Sequence, residues 1–117
     1  MQALSFTIYG EPASKANSRK LVYIKGKPLF IKSEKALAYA KMFKQQCVRQ
    51  KMLECDVCVE IKIYYASRRP DLDESLILDL LQDVAYLNDR QVKEKHIYWG
   101  LDKTNPRCEI KVSELQA

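Results

Sequence analysis

Val57-Cys58-Val59-Glu60-Ile61-Lys62-Ile63-Tyr64-Tyr65 is the stretch whose pattern decides the fold. Positions 57, 59, 61, 63 and 65 are apolar or aromatic, and Glu60 and Lys62 stand between them. A period of two puts the first set on one face of a strand and the charges on the other. Ser67-Arg68-Arg69-Pro70 ends the strand, because proline cannot extend the ladder.

Toward the N-terminus, residues 3–9 alternate in the same way, with Leu4, Phe6 and Ile8 on one face. Gly10-Glu11-Pro12 breaks that strand, and a polar, basic loop runs to Arg19 and Lys20. Leu21–Ile24 and Pro28–Ile31 flank Lys25-Gly26-Lys27, which predicts a hairpin with glycine in the turn. Ser33 then caps a helix of about 17 residues, whose apolar stripe is Ala36, Ala40, Phe43 and Cys47. Toward the C-terminus a second helix is expected from Asp73 to Ala85, with Asp73 as its N-cap. Val92–Trp99 and Arg107–Val112 close the chain as strands around a polar loop at Thr104-Asn105-Pro106. This order predicts an α+β fold: one domain over 1–117, a mixed sheet of about five to six strands and two helices.

The chain has 117 residues, 47% of them apolar, and only three glycines, enough for one modest core. No run approaches the ~18 consecutive apolar residues of a membrane span, and no leader pattern opens the chain, so no membrane partner is expected. Cys55 and Cys58 form a CxxC, but Cys47, Cys108 and the single His96 show no paired spacing to complete four ligands. No structural zinc is expected, and the four thiols are read as reduced and mostly buried.

Net charge is +5, and its distribution says more than its size. From Asp71 to Asp89 there are six acids (Asp71, Asp73, Glu74, Asp79, Asp83 and Asp89) and no lysine or arginine. The remainder holds all 20 bases against nine acids. An acidic island in a basic chain suits a metal-dependent nuclease, where carboxylates hold a divalent ion and basic surface holds phosphates. In an extended segment, Asp71 and Asp73 project to the same side and could converge on one ion. As a lone pair they read better as a turn residue and a helix cap. Lys15, Arg19 and Lys20 share the N-terminal loop with Asn17, and Arg68 and Arg69 precede the acids; all six are candidate DNA contacts.

The pair does not stand alone. Arg69-Pro70-Asp71-Leu72-Asp73, a leucine-rich helix and Tyr86-Leu87-Asn88-Asp89-Arg90-Gln91-Val92 resemble the signature of the RusA family of Holliday-junction resolvases. Gly10-Glu11-Pro12 with Lys15 and Arg19, the glycine hairpin and Ser33–Tyr39 follow the family's order as well. The resemblance implies a small homodimer that cuts four-way DNA junctions with Mg²⁺, for which Mn²⁺ could substitute. It puts the catalytic, metal-binding acids at Asp71, Asp73 and Asp89, and implies a cytoplasmic setting in a bacterium or phage-infected cell. Two positions depart from the family. Glu74 stands where asparagine is usual, and Ile77 stands where a catalytic lysine is usual. Lys15, Lys20, Arg68 or Arg69 could supply the missing charge, and spacing does not choose among them.

The second helix poses two questions. Its apolar arc spans roughly 200° when residues are set at 100° each, wider than one packed face needs. Deep burial within one chain explains this, and so does a dimer interface through Leu78, Leu81 and Ala85. A helix from Asp73 to Ala85 is also roughly 18 Å long at ~1.5 Å per residue, which separates Asp89 from Asp71 and Asp73. Either residues 86–91 fold back along the helix, or Asp89 serves the partner subunit's acids.

Overall fold

The computed structural model of the chain describes residues 3–13, 19–47 and 51–115. The elements run β1 (Ala3–Tyr9), β2 (Arg19–Ile24), β3 (Lys27–Lys32), α1 (Glu34–Gln46), β4 (Val57–Tyr65), α2 (Ser75–Leu81), β5 (Val92–Leu101) and β6 (Arg107–Glu114). The expected α+β class and single small domain hold. The six strands divide into a four-stranded sheet ordered β1-β6-β4-β5 and a separate β2-β3 ribbon. The main sheet is mixed, with β5 parallel to β4 and the other pairings antiparallel. A parallel pair needs a crossover, and α2 with its flanking loops provides it.

The alternation in β4 is realised in full: Val57, Val59, Ile61, Ile63 and Tyr65 are buried and Glu60 and Lys62 are exposed. They meet Leu4, Phe6, Ile8, Ile110 and Val112 from neighbouring strands, with Tyr39 and Phe43 of α1 and Leu76, Ile77, Leu80 and Leu81 of α2. Burying each such side chain contributes about 1.5–3 kcal/mol. Ser33 accepts a hydrogen bond from the Ala36 amide at 3.2 Å, the expected N-cap. The helix is shorter than expected, at 13 residues, and Cys47 is its C-cap rather than part of its stripe.

At the β2-β3 turn, Lys25 and Gly26 both take positive φ, 52° and 78°, the left-handed pair that matches strand twist in a two-residue hairpin. The ribbon stands away from the core, and Leu21, Tyr23, Ile24, Leu29 and Phe30 are all exposed. Among the thiols only Cys108 is buried, and Cys47, Cys55 and Cys58 are half-buried. All four cysteines are free. No helix among the described residues is long and apolar enough to cross a membrane.

The second helix differs most from expectation. It spans seven residues and stops at Leu81, because Gln82 turns extended (ψ 133°) and Asp83 takes φ 68°. The amides of Val84 and Ala85 both return to the Leu81 carbonyl, and the Asp83 amide donates to the Tyr86 carbonyl, closing a tight turn. Tyr86 then folds back, its hydroxyl donating to the Leu78 carbonyl at 2.9 Å. Burial explains the wide apolar arc. Leu81 and Ala85 are fully buried within one chain, so the expected interface through Leu78, Leu81 and Ala85 keeps only half-buried Leu78 at the surface.

Candidate active site

The Asp71-Leu72-Asp73 segment hangs from the end of the sheet by hydrogen bonds that its own sequence does not announce. Tyr65, the last residue of β4, donates its hydroxyl to the Asp71 carbonyl at 3.1 Å and accepts from the Asp73 amide at 3.2 Å. Trp99 of β5 stacks on Tyr65 with centroids 6.0 Å apart, and its indole N–H donates to the Pro70 carbonyl at 3.3 Å. Burial raises the Tyr65 phenol above its ordinary value, which keeps the proton needed for the donated bond. On the side of the N-terminal loop, Glu11 Oε1 accepts from the Ala66 amide at 3.1 Å. The family-like glutamate thus holds the strand exit in place.

Asp73 Oδ1 accepts from both the Ser75 amide (3.1 Å) and the Ser75 hydroxyl (2.7 Å). Asp73 was expected as the helix N-cap; that position falls to Glu74, which makes no capping bond, and Asp73 caps from one residue earlier. This fixes the orientation of its carboxylate. Asp71 is exposed, as are Arg68 and Arg69 at the bend before it.

Asp89 is held by a different device. Asn88 caps a one-turn 3-10 helix, Asp89–Gln91, in a capping box closed by Gln91. Gln91 Oε1 accepts from the Leu87 and Asn88 amides, and its Nε2 donates to the Leu53 and Cys55 carbonyls. The glutamine is therefore a four-way staple tying the Asp89 turn to the segment entering β4. The Gln82 side chain adds a bond to the Asp89 amide at 3.3 Å.

Because α2 is only seven residues, Asp89 reaches the same cleft as the start of the helix. A cavity of about 380 Å³ is lined by Ser75, Leu78, Asp79, Asp89, Lys93 and Lys95, among others. Asp71 and Asp73 both lie outside its lining, and Asp73 is tied to it by its bonds to Ser75. The three aspartates do not form a set of ligand atoms within 4.8 Å of one another among the described residues. Arg19 and Lys20 are exposed at the start of β2, where Lys20 pairs with Glu34 at 3.9 Å. Lys15 and Asn17 lie outside the described residues.

Two cations missed in the sequence stand in this cleft. Lys95 Nζ lies 3.3 Å from Glu74 Oε2, and Lys93 shares the lining. Ile77 is fully buried, so its position offers no charge to the cleft. Of the two departures from the family pattern, Glu74 faces a lysine arriving from β5, and Ile77 turns into the core. The signal was weak, because Lys93 and Lys95 sit 20 residues along in a strand and look like ordinary solvated positions.

Residues 10–113 match the family described as endodeoxyribonuclease RusA. No curated protein matches the chain.

Proposed function

The chain belongs to the RusA family of endodeoxyribonucleases, and on that premise we propose a Mg²⁺-dependent, structure-selective nuclease that resolves four-way DNA junctions by paired nicks. The observation that carries this reading is the cleft between the start of α2 and β5. Ser75, which holds Asp73, forms one part of its wall, and Asp89 and Lys95 form others.

The donor set fits the ion. Asp71, Asp73 and Asp89 offer only oxygen, which magnesium prefers, and an ion that keeps several waters does not need all three carboxylates in direct contact. A bound Mg²⁺ would lower the pKa of an attacking water and offset phosphate charge. The chain's own residues do the positioning. Ser75 and Tyr65 orient Asp73, and Gln91 orients Asp89. Lys95 supplies the cation at the scissile phosphate that the family draws from the position of Ile77. Arg68, Arg69, Arg19 and Lys20, with Lys15 and Asn17, hold the flanking phosphates.

In this reading all three acids act within one chain, since the short helix and its return turn bring Asp89 back toward Ser75. Mixing Asp71→Asn and Asp89→Asn chains then leaves both centres dead, and recovered cleavage would overturn the single-chain site. A homodimer belongs to the proposal because a four-way junction is close to two-fold symmetric and needs two matched cuts. With Leu81 and Ala85 spent on the core, the uncovered apolar ribbon is the surface assigned to the second copy. Sedimentation of the wild type and of Phe30→Ser tests this: a wild-type monomer, or an undisturbed Phe30→Ser dimer, sinks it.

Buried Ile77 favours one alternative, a junction-binding dimer of the same fold without catalysis. Incubation with a synthetic four-way junction separates the two. Mg²⁺-dependent nicking that is abolished by Asp73→Asn supports the enzyme. Tight binding without product in Mg²⁺ or Mn²⁺ leaves only the binding protein.

A further inference from the structure

The sheet face turned away from the helices carries a second group of ligating side chains. β4 and β5 are paired in parallel there, with Cys58 opposite Glu94 and Glu60 opposite His96. The Cys58 sulfur, a Glu94 carboxylate oxygen and a His96 ring nitrogen all lie within 4.8 Å of one another. His96 Nε2 and Glu94 Oε1 are already 2.7 Å apart.

We propose that Cys58, Glu94 and His96 bind a thiophilic divalent cation of the Zn²⁺ type, on the sheet face turned away from the carboxylate cleft, whose lining Glu94 also reaches. One sulfur, one nitrogen and one oxygen is a zinc donor set, whereas magnesium seeks oxygens alone. The two sites therefore discriminate between ions by chemistry. The CxxC is not the motif at work. Cys55 turns to Glu114, its thiol donating to Oε1 at 3.4 Å, and Cys58 alone joins the cluster.

The three donor atoms already lie within 4.8 Å of one another. Tetrahedral bonds of ~2.0 Å place two N/O donors about 3.3 Å apart, so the Glu94–His96 contact opens by roughly half an ångström. The three ligands stand on two hydrogen-bonded strands, so most of their ordering is complete before the ion arrives. Three protein ligands leave a fourth position for water.

Glu60 on the same face adds negative potential, and Lys111, its cross-strand partner on β6, opposes it. Partial burial, with Glu94 and Glu60 alongside, pushes the Cys58 thiol up, so binding must displace a proton, as zinc does at a thiol. The site also has a structural consequence. Among the described strands β5 is an edge strand that pairs with β4, and the ladder between them shifts register at Val57/Cys58. An ion joining Cys58 to Glu94 and His96 stitches that interruption, beside the segment that carries Lys93 and Lys95 into the cleft.

The test uses the full-length, reduced, metal-free protein titrated with Co²⁺. The expected result is a thiolate-to-cobalt charge-transfer band at one equivalent, displaced by Zn²⁺ and insensitive to Mg²⁺. Cys58→Ser abolishes the band, His96→Gln weakens affinity at least about tenfold, and Cys55→Ser leaves it unchanged. His96 is the single histidine, so its imidazole resonance reports binding directly even where the optical band is weak. Circular dichroism of each variant checks the fold, and Cys58→Ala serves if the serine variant misfolds. A wild type with neither band nor imidazole shift overturns the proposal. So does a band that survives Cys58→Ser or disappears with Cys55→Ser. The outcome is independent of nuclease activity.

Discussion

Replacing Tyr65 by phenylalanine removes one oxygen and breaks both hydrogen bonds that fix the Asp71–Asp73 segment. The ring stays, so its stack on Trp99 and its place in the core are kept. Each lost bond costs about 0.5–1.5 kcal/mol net, and the residue is 2% exposed, so water replaces the hydroxyl poorly. The expected loss is about 1–3 kcal/mol. For a chain of this size the unfolding entropy is roughly 0.25 kcal/mol per degree, giving a fall in Tm of about 4–12 °C. Activity should fall further than stability implies. Freed from the phenol, the segment can drift, and a displacement of about 1 Å costs on the order of 10²-fold in rate. The assay pairs a melting curve with single-turnover nicking of a four-way junction, and with junction affinity measured in Ca²⁺. Tyr65 is a positioning residue in this argument, so affinity should change less than about twofold while the nicking rate drops. Wild-type rate per folded molecule, with only Tm lowered, would refute the positioning role. An unchanged Tm would refute the hydrogen bonds themselves.

Three further outcomes follow from the same geometry. Lys95→Met should slow nicking by about 10²-fold, as for loss of one preorganised charge-stabilising group, with Lys95→Arg recovering part of the rate; equal nicking by wild type and Lys95→Met would remove the lysine from the reaction. Gln91→Ala deletes four hydrogen bonds and should cost about 2–4 kcal/mol in urea unfolding, releasing Asp89 and lowering the nicking rate more than junction affinity. At the β5-β6 loop, Arg107 bonds to Asp102 at 2.7 Å and holds that carboxyl below its ordinary value. A depressed folded-state pKa means the stabilisation is present above the unfolded value of about 4 and is lost as pH falls through the folded value. Wild type and Asp102→Ala should therefore differ in stability at neutral pH and converge in acid; a gap that persists in acid refutes the linkage.

Much of the fold was legible because strand and turn signals are local. The alternation of Val57–Tyr65, the Lys25-Gly26 turn and the Ser33 cap each depend on residues within one element. The end of α2 was not legible. Leu78, Leu81 and Ala85 continue a helical spacing past Leu81, and nothing in their identity stops it. The stop comes from the left-handed turn at Asp83 and from Tyr86, which bridges to Leu53 and Gln82.

The candidate site divides along the same line. By itself, the sequence determined which acids to consider, since Asp71, Asp73 and Asp89 are marked by motif and by the absence of bases between Asp71 and Asp89. It also determined that positions 57–65 would form a strand with one buried face. Only the tertiary structure decided that this strand would pair in parallel with Val92–Leu101, and that Tyr65 and Trp99 would hold the acid segment between them. The same pairing delivers Lys95 to Glu74, and Cys58 to Glu94 and His96. Periodicity is carried by neighbours in the chain, whereas register across a crossover is set by how two distant hydrophobic faces pack.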